Sequence, residues 1–259
     1  MTGAPLQFID IESRSIAALI TPTPPSASCG LFWLPGYKSD MASTKATALA
    51  DFACGRFGCT LFDYSGHGRS SGAFEDGTIG TWLADACAVF TRATAGPQVV
   101  VGSSMGGYIA LLLLRQLMAQ APIDAARIKA VVLIAPAWDM TEALIWQAFS
   151  PAQKSRLLAD GVIPRPSDYG EPYNITRALI EEGRAHLIGG QPFDPGRPVH
   201  IIQGLCDTSV PPAHTRRLLE LLEGPRVFLE EIPDGDHRLS RPQDIATLLT
   251  IVARLADAP

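Results

Sequence analysis

Nothing in this 259-residue chain offers nucleic acid a docking field, because its 21 lysines and arginines are scattered and outnumbered by 26 acids, for a net charge of -5. No apolar run reaches the roughly 18 residues of a membrane helix, so no stable membrane insertion is expected. Cysteine is sparse. Cys29, Cys54, Cys59, Cys87 and Cys206 are odd in number and form no C-x-x-C pair, which reads as reduced thiols packed as small core residues in a reducing compartment. The opening M-T-G-A-P-L-Q-F-I-D lacks the basic and apolar regions of a secretory signal, and a soluble, cytoplasmic protein is expected. There are no internal repeats, and residues 21–28, rich in Pro and Ser, are the one biased stretch. His200 sits in a strand pattern and His214 opens a helix, neither with a companion at metal-ligand spacing, so neither a metal nor a cofactor is expected. With 47% hydrophobic and 18% charged residues, the chain can bury one full core and carry an insertion.

What is present centres on residues 98–107, Q-V-V-V-G-S-S-M-G-G. Residues 99–101 read as a short buried strand, and the apolar run 108–114 as a core helix. Between them Gly102, Ser104 and Gly106 spell G-x-S-x-G on a strand-turn-helix, the nucleophile elbow of α/β-hydrolases. Ser104 is the candidate nucleophile. Met105 follows at the helix N-terminus, where an unpaired N–H and the helix dipole can meet a developing oxyanion. Without partners the same run would be a flexible turn before a helix.

An acid and a histidine follow in the order the elbow requires. Residues 198–203 read as a strand running into a loop that carries Asp207, and residues 226–232 as the next strand, leading to Asp236 and His237. The order Ser104, Asp207, His237 differs from that of the chymotrypsin and subtilisin families.

Earlier in the chain, residues 8–20 read as an edge hairpin, 29–34 as a buried strand and 40–54 as a helix. The loop at Pro35-Gly36-Tyr37 holds the position where many α/β-hydrolases carry His-Gly, making the Tyr37 N–H the candidate second oxyanion donor. Residues 58–62 read as a strand before the turn Asp63 to Gly72, which is given a structural role, with His67 as a turn or surface histidine. Residues 78–95 form a helix with Trp82, Leu83, Ala86 and Phe90 on one face, and 128–134 a further strand.

Alternating strands and helices predict an α/β-hydrolase fold, a mostly parallel eight-stranded sheet with helices on both faces and a helical cap inserted after strand 6. The core takes residues 1–137 and 192–259, the cap residues 138–191. Within the cap, residues 139–159 read as two helices broken at Ser150-Pro151, 161–175 as turns, and 176–186 as a helix; residues 211–222 and 241–255 supply the last two helices. Trp138, Leu144, Trp146, Phe149, Tyr169 and Tyr173 either line an acyl pocket or pack the cap onto the core. Arg165, Arg177, Arg184 and His186 either meet an anionic substrate group or lie on solvated surface.

Residues 34–37 (L-P-G-Y), 62–66 (F-D-Y-S-G), 101–107 (V-G-S-S-M-G-G) and 236–238 (D-H-R) together resemble the mitochondrial α/β-hydrolase-domain group of palmitoyl-protein thioesterases and mycophenolic acid acyl-glucuronide esterases. The resemblance implies hydrolysis of an acyl thioester or activated ester, on a small molecule or an acylated protein, with Ser104, Asp207 and His237 in the matching positions. The chain lacks the Arg-rich, Ser-rich transit segment of that group and is expected to be a bacterial relative. A general carboxylesterase or monoacylglycerol-type lipase, a carbon-carbon bond hydrolase and a non-catalytic binding protein are the alternatives. Oligomeric state is not legible in the sequence.

Overall fold

A computed structural model describes residues 4–165 and 172–258. Its centre is an eight-stranded sheet built from β1 (Leu6–Ile11), β2 (Arg14–Thr21), β3 (Gly30–Leu34), β4 (Gly58–Phe62), β5 (Gln98–Ser103), β6 (Ile128–Ile134), β9 (Val199–Gly204) and β10 (Val227–Ile232). The spatial order is β1-β2-β4-β3-β5-β6-β9-β10, and β2 alone runs against the others. Strands β3, β4, β5 and β9 are buried at every residue, as expected for parallel strands covered on both faces.

Two apolar layers flank the sheet. On one face α1 (Thr44–Ala53) and α8 (Pro242–Asp257) pack through Ala46, Leu49, Leu248 and Ile251. On the other, α2 (Ile79–Ala93) and α3 (Met105–Gln120) pack through Trp82, Phe90, Tyr108 and Leu111. Residues 105–114 of α3 are all buried, so truncating Leu111 or Leu113 to Ala would cost about 2–5 kcal/mol. The short α4 (Pro122–Arg127), not apparent in the sequence, leads into β6.

Helix α1 starts at Thr44, not at residue 40. Residues 40–43 are tied into a turn instead: Asp40 Oδ1 accepts the Ala42 N–H at 2.9 Å, and Asp63 Oδ1 accepts the Met41 N–H at 2.7 Å. Between β6 and β9 the chain forms a π-helix (Met140–Trp146), α5 (Pro151–Asp160), β7 (Val162–Arg165), β8 (Tyr173–Thr176), α6 (Arg177–Gly183) and a 3₁₀ turn (Arg184–His186). The turn-like stretch 161–175 therefore contains an antiparallel pair, β7 with β8. In a two-stranded ribbon Pro164 removes no central ladder bond, so its presence does not exclude a strand. Helix α7 (Pro212–Leu219) follows β9.

Candidate active site

Ser104 sits at φ 55° and ψ -117°, between β5 and the first turn of α3. A serine in this region is strained by roughly 1–3 kcal/mol, and it persists where its surroundings over-determine it. They do so here: the Ser104 N–H donates to Ile134 at 2.8 Å, while its carbonyl accepts from Gly107 and Ala137 at 2.9 and 3.1 Å. A Cβ on Gly102 would lie 2.3 Å from the Gly106 carbonyl oxygen, and one on Gly106 would lie 2.0 Å from that of Leu34. The G-x-S-x-G spelling is thus a packing requirement.

His237 Nε2 stands 3.1 Å from Ser104 Oγ, and His237 Nδ1 donates to Asp207 Oδ2 at 2.8 Å. Asp207 is fully buried but not destitute. Its Oδ1 accepts the N–H groups of Ser209 and Val210 at 2.9 and 2.8 Å, and Gln203 Nε2 reaches Oδ2 at 3.3 Å. The His237 loop is pinned on two sides. Arg241 bridges Asp234 at 2.6 Å and Asp244 at 2.9 Å, while Lys45 of α1 donates to the Arg238 carbonyl and, at 3.2 Å, to Ser240 Oγ. Burial lowers the Lys45 ammonium to about 8.

Above Ser104 lies a cavity of about 590 Å³. Its lining includes apolar Ala137, Met140, Leu144, Ile145 and Val210, polar Lys38, Ser39, Ser43, Lys45, Arg238 and Ser240, and also Arg165 and Tyr173. Met105 follows Ser104 in the chain and Tyr37 lines the cavity, and neither N–H donates to a turn, loop or side chain among the described residues. The arrangement pairs a hydroxyl oxygen with a hydrogen-bonded imidazole beside a cavity of mixed polar and apolar lining.

Of the pocket residues expected from sequence, Leu144 and Tyr173 line this cavity, whereas Trp138, Trp146 and Phe149 do not. Trp138 stacks on His214 with ring centroids 4.5 Å apart and donates through Nε1 to the His214 carbonyl at 2.9 Å. Trp146 packs beneath the cations of Lys154 and Arg184, and Phe149 lies half-buried against the core. Within the π-helix, i→i+5 bonding puts residues four and five apart on one face, so Met140, Leu144 and Ile145 line the cavity together. Tyr169 lies outside the described residues. Arg165 lines the cavity, but Arg177 pairs with Glu181, Arg184 with Glu142, and His186 with Glu182.

His67 is 4% exposed, so it is neither a surface group nor a ligand to solvent. Burial lowers the pKa of His67, His200 and His214 alike. His214 is held neutral, Nε2–H donating to Trp138 O at 2.8 Å while Nδ1 accepts from Arg217. The sign follows from linkage. The unfolded chain protonates near pH 6.5 and the folded chain at lower pH, so stability is full above 6.5 and is lost as pH falls below it. Unfolding free energies from urea titrations should therefore drop between about pH 6.5 and 5, by at most ~1.4 kcal/mol per pH unit per histidine. His214→Gln should flatten that slope; an unchanged slope would show that His214 is not among its sources.

An α/β sheet with the elbow after β5 and the acid and histidine loops after β9 and β10 defines a hydrolase architecture, and residues 28–248 match the sequence profile described as the alpha/beta hydrolase family. The chain belongs to that family. Among its relatives, the mitochondrial palmitoyl-protein thioesterase ABHD10 of Bos taurus is 32% identical over 236 residues, covering 89% of this chain and 74% of the relative. A candidate hydrolase from Agrobacterium vitis S4, solved by crystallography, is 41% identical with a TM-score of 0.92, covering 98% of each chain. The mouse alpha/beta hydrolase domain-containing protein 10 is 27% identical with a TM-score of 0.86, covering 98% of this chain and 99% of that one. No described helix is long and apolar enough to cross a membrane.

Proposed function

We propose that this protein is a serine hydrolase of acyl thioesters and activated esters, working through Ser104, His237 and Asp207. The observation that carries the reading is the continuous contact Ser104 Oγ to His237 Nε2 to Asp207 at 3.1 and 2.8 Å, opening into a cavity.

With Nδ1–H donated to Asp207, Nε2 bears the lone pair and accepts the Ser104 proton as Oγ attacks the acyl carbon. The carbonyl oxygen becomes an oxyanion facing the amides of Tyr37 and Met105. As the carbon–sulfur or carbon–oxygen bond breaks, His237 returns the proton to the leaving thiol or alcohol, and the acyl group remains on Ser104. Water then attacks, gives its proton to His237, and the carboxylic acid leaves as Ser104 regains its hydrogen. Asp207 stabilises the imidazolium throughout. In this reading the acyl group lies against the apolar lining residues Met140, Leu144 and Ile145, and the leaving group toward the polar ones, Lys38, Lys45 and Ser240.

The preference for thioesters is supported by the relative named a palmitoyl-protein thioesterase. The hydrogen-bonded site serves an oxygen ester equally, so a general carboxylesterase is the second reading. Matched thioesters and oxygen esters of short, medium and palmitoyl length separate them: kcat/KM should rise with length on thioesters, and a flat, short-chain ester profile would favour the carboxylesterase.

Leu144→Trp should narrow the apolar part of the cavity. Palmitoyl kcat/KM should fall roughly tenfold relative to a short acyl group, the scale of a pocket changed by a methylene or two. Equal loss at all lengths would place the acyl chain elsewhere.

A further inference from the structure

We propose that His67 is a positioning residue for the oxyanion loop, its Nε2 accepting the Lys38 N–H and so holding the neighbouring Tyr37 amide beside Ser104. The inference rests on the hydrolase reading above and names a part of that site that no motif assigns.

Residues 36–38 span the distance from nucleophile to His67. A Cβ on Gly36 would lie 3.5 Å from Ser104 Cβ and 3.3 Å from the Ser103 carbonyl, so the loop crosses directly over the elbow. Two residues later Lys38 adopts φ 56°, a left-handed conformation that lysine rarely takes, at the third position of a turn closed by the Ser39 N–H donating to the Gly36 carbonyl at 3.0 Å. That bond closes the turn locally but does not fix it to the rest of the fold; His67 does, its Nε2 lying 3.3 Å from the Lys38 nitrogen. An amide can only donate, so Nε2 carries a lone pair and Nδ1 carries the proton, which it gives to the Ser65 carbonyl at 3.2 Å. Trp82 Nε1 donates to that same carbonyl at 3.2 Å.

Side chains complete the clamp. The His67 ring lies 5.1 Å from Phe74 and 5.3 Å from Trp82, and the Tyr37 ring lies 4.9 and 5.7 Å from the same two residues. One aromatic box thus grips the loop twice, at the Tyr37 side chain and at the Lys38 backbone.

The clamp works while His67 is neutral. A proton on Nε2 would face the Lys38 N–H donor to donor and release the loop. Burial resists that proton; Asp85 and Asp40 favour it, Lys38 opposes it, and the balance lies below the ordinary histidine value, with Tyr64 as the neighbouring ring on the same turn. The acid limb of kcat should therefore contain a component from His67.

The experiment compares wild type, His67→Phe and His67→Gln for kcat and KM on a thioester, the pH dependence of kcat, and hydrogen exchange at the Lys38 amide. H67F fills the box but accepts nothing: kcat should fall roughly 10- to 100-fold, the scale of a misplaced catalytic group, with KM within about threefold and faster Lys38 exchange. H67Q offers an oxygen in place of Nε2, should recover most of kcat, and should lose the His67 component of the acid limb. Unchanged kcat and Lys38 exchange in H67F, or equal loss in both variants, would overturn the proposal. If H67F does not fold, H67Q decides: an acid limb identical to wild type overturns it. A wild type that turns over no ester or thioester and is not labelled at Ser104 by a fluorophosphonate would defeat the hydrolase reading instead, and Lys38 exchange would still decide the role of His67.

Discussion

Ser104→Ala should lower kcat on a palmitoyl thioester by about 10⁶-fold, the loss seen when a serine nucleophile is removed from an intact site. The methyl group fits the space of the hydroxymethyl, so the fold should survive and substrate should still bind. What disappears is the atom that His237 Nε2 contacts at 3.1 Å and on which the acyl group is to be carried. Single-turnover kinetics and fluorophosphonate labelling check this together, since the variant should show neither an acyl-enzyme burst nor a label. Activity above a few per cent of wild type would mean that another group attacks the substrate, and the assigned mechanism would fall.

Asp207→Asn should cost about 10⁴-fold in kcat with little change in folded structure. The geometry explains why so small a change has so large an effect. Oδ1 is committed to the N–H groups of Ser209 and Val210, so the asparagine must keep its oxygen there and turn its amide NH₂ toward His237. Facing a donor, Nδ1 becomes the acceptor and the ring proton moves to Nε2, the atom that must accept from Ser104. The base is then blocked before the reaction starts. Circular dichroism and a thermal melt should match wild type closely, apart from the changed contact to Gln203, while kcat collapses; comparable activity in both proteins would remove Asp207 from the mechanism.

The parts of this site that were legible in the sequence are those written in adjacent residues. The elbow is one: the steric demand on Gly102 comes from Gly106 four positions on, so the pair leaves a readable spelling, even though Gly106 is itself pressed by the distant Leu34 carbonyl. The acid and histidine loops are others, because each follows a strand legible in the sequence, the buried β9 and the half-exposed V-F-L-E-E-I of β10. Three features were hidden for physical reasons. The cap's aromatics carried both a pocket and a packing reading, and nothing in M-T-E-A-L-I-W announces π rather than α bonding, so which residues line the cavity was not readable; Trp146 packs under Lys154 and Arg184. The pair β7 and β8 is short and interrupted by Pro164, which composition reads as turn. His67, Gln203 and Lys45 act through partners 29, 4 and 193 positions away. For Gln203 a signal existed, a lone polar residue between Ile202 and Gly204 in a buried strand; for His67 and Lys45 the meaning appears only when the loops meet.

The left-handed serine of the elbow sets stability against activity at a single residue. Its backbone is held where glycine would rest without strain, so sequence drift or laboratory selection for heat resistance gains something by abandoning the hydroxyl. A lineage that keeps the reaction must find its thermal tolerance elsewhere. The chain leaves room for that far from Ser104, at positions such as Ile123 on α4, which is 84% exposed, and Phe8 on β1, which is 56% exposed. Polar replacements there leave every contact of Ser104, His237 and Asp207 untouched.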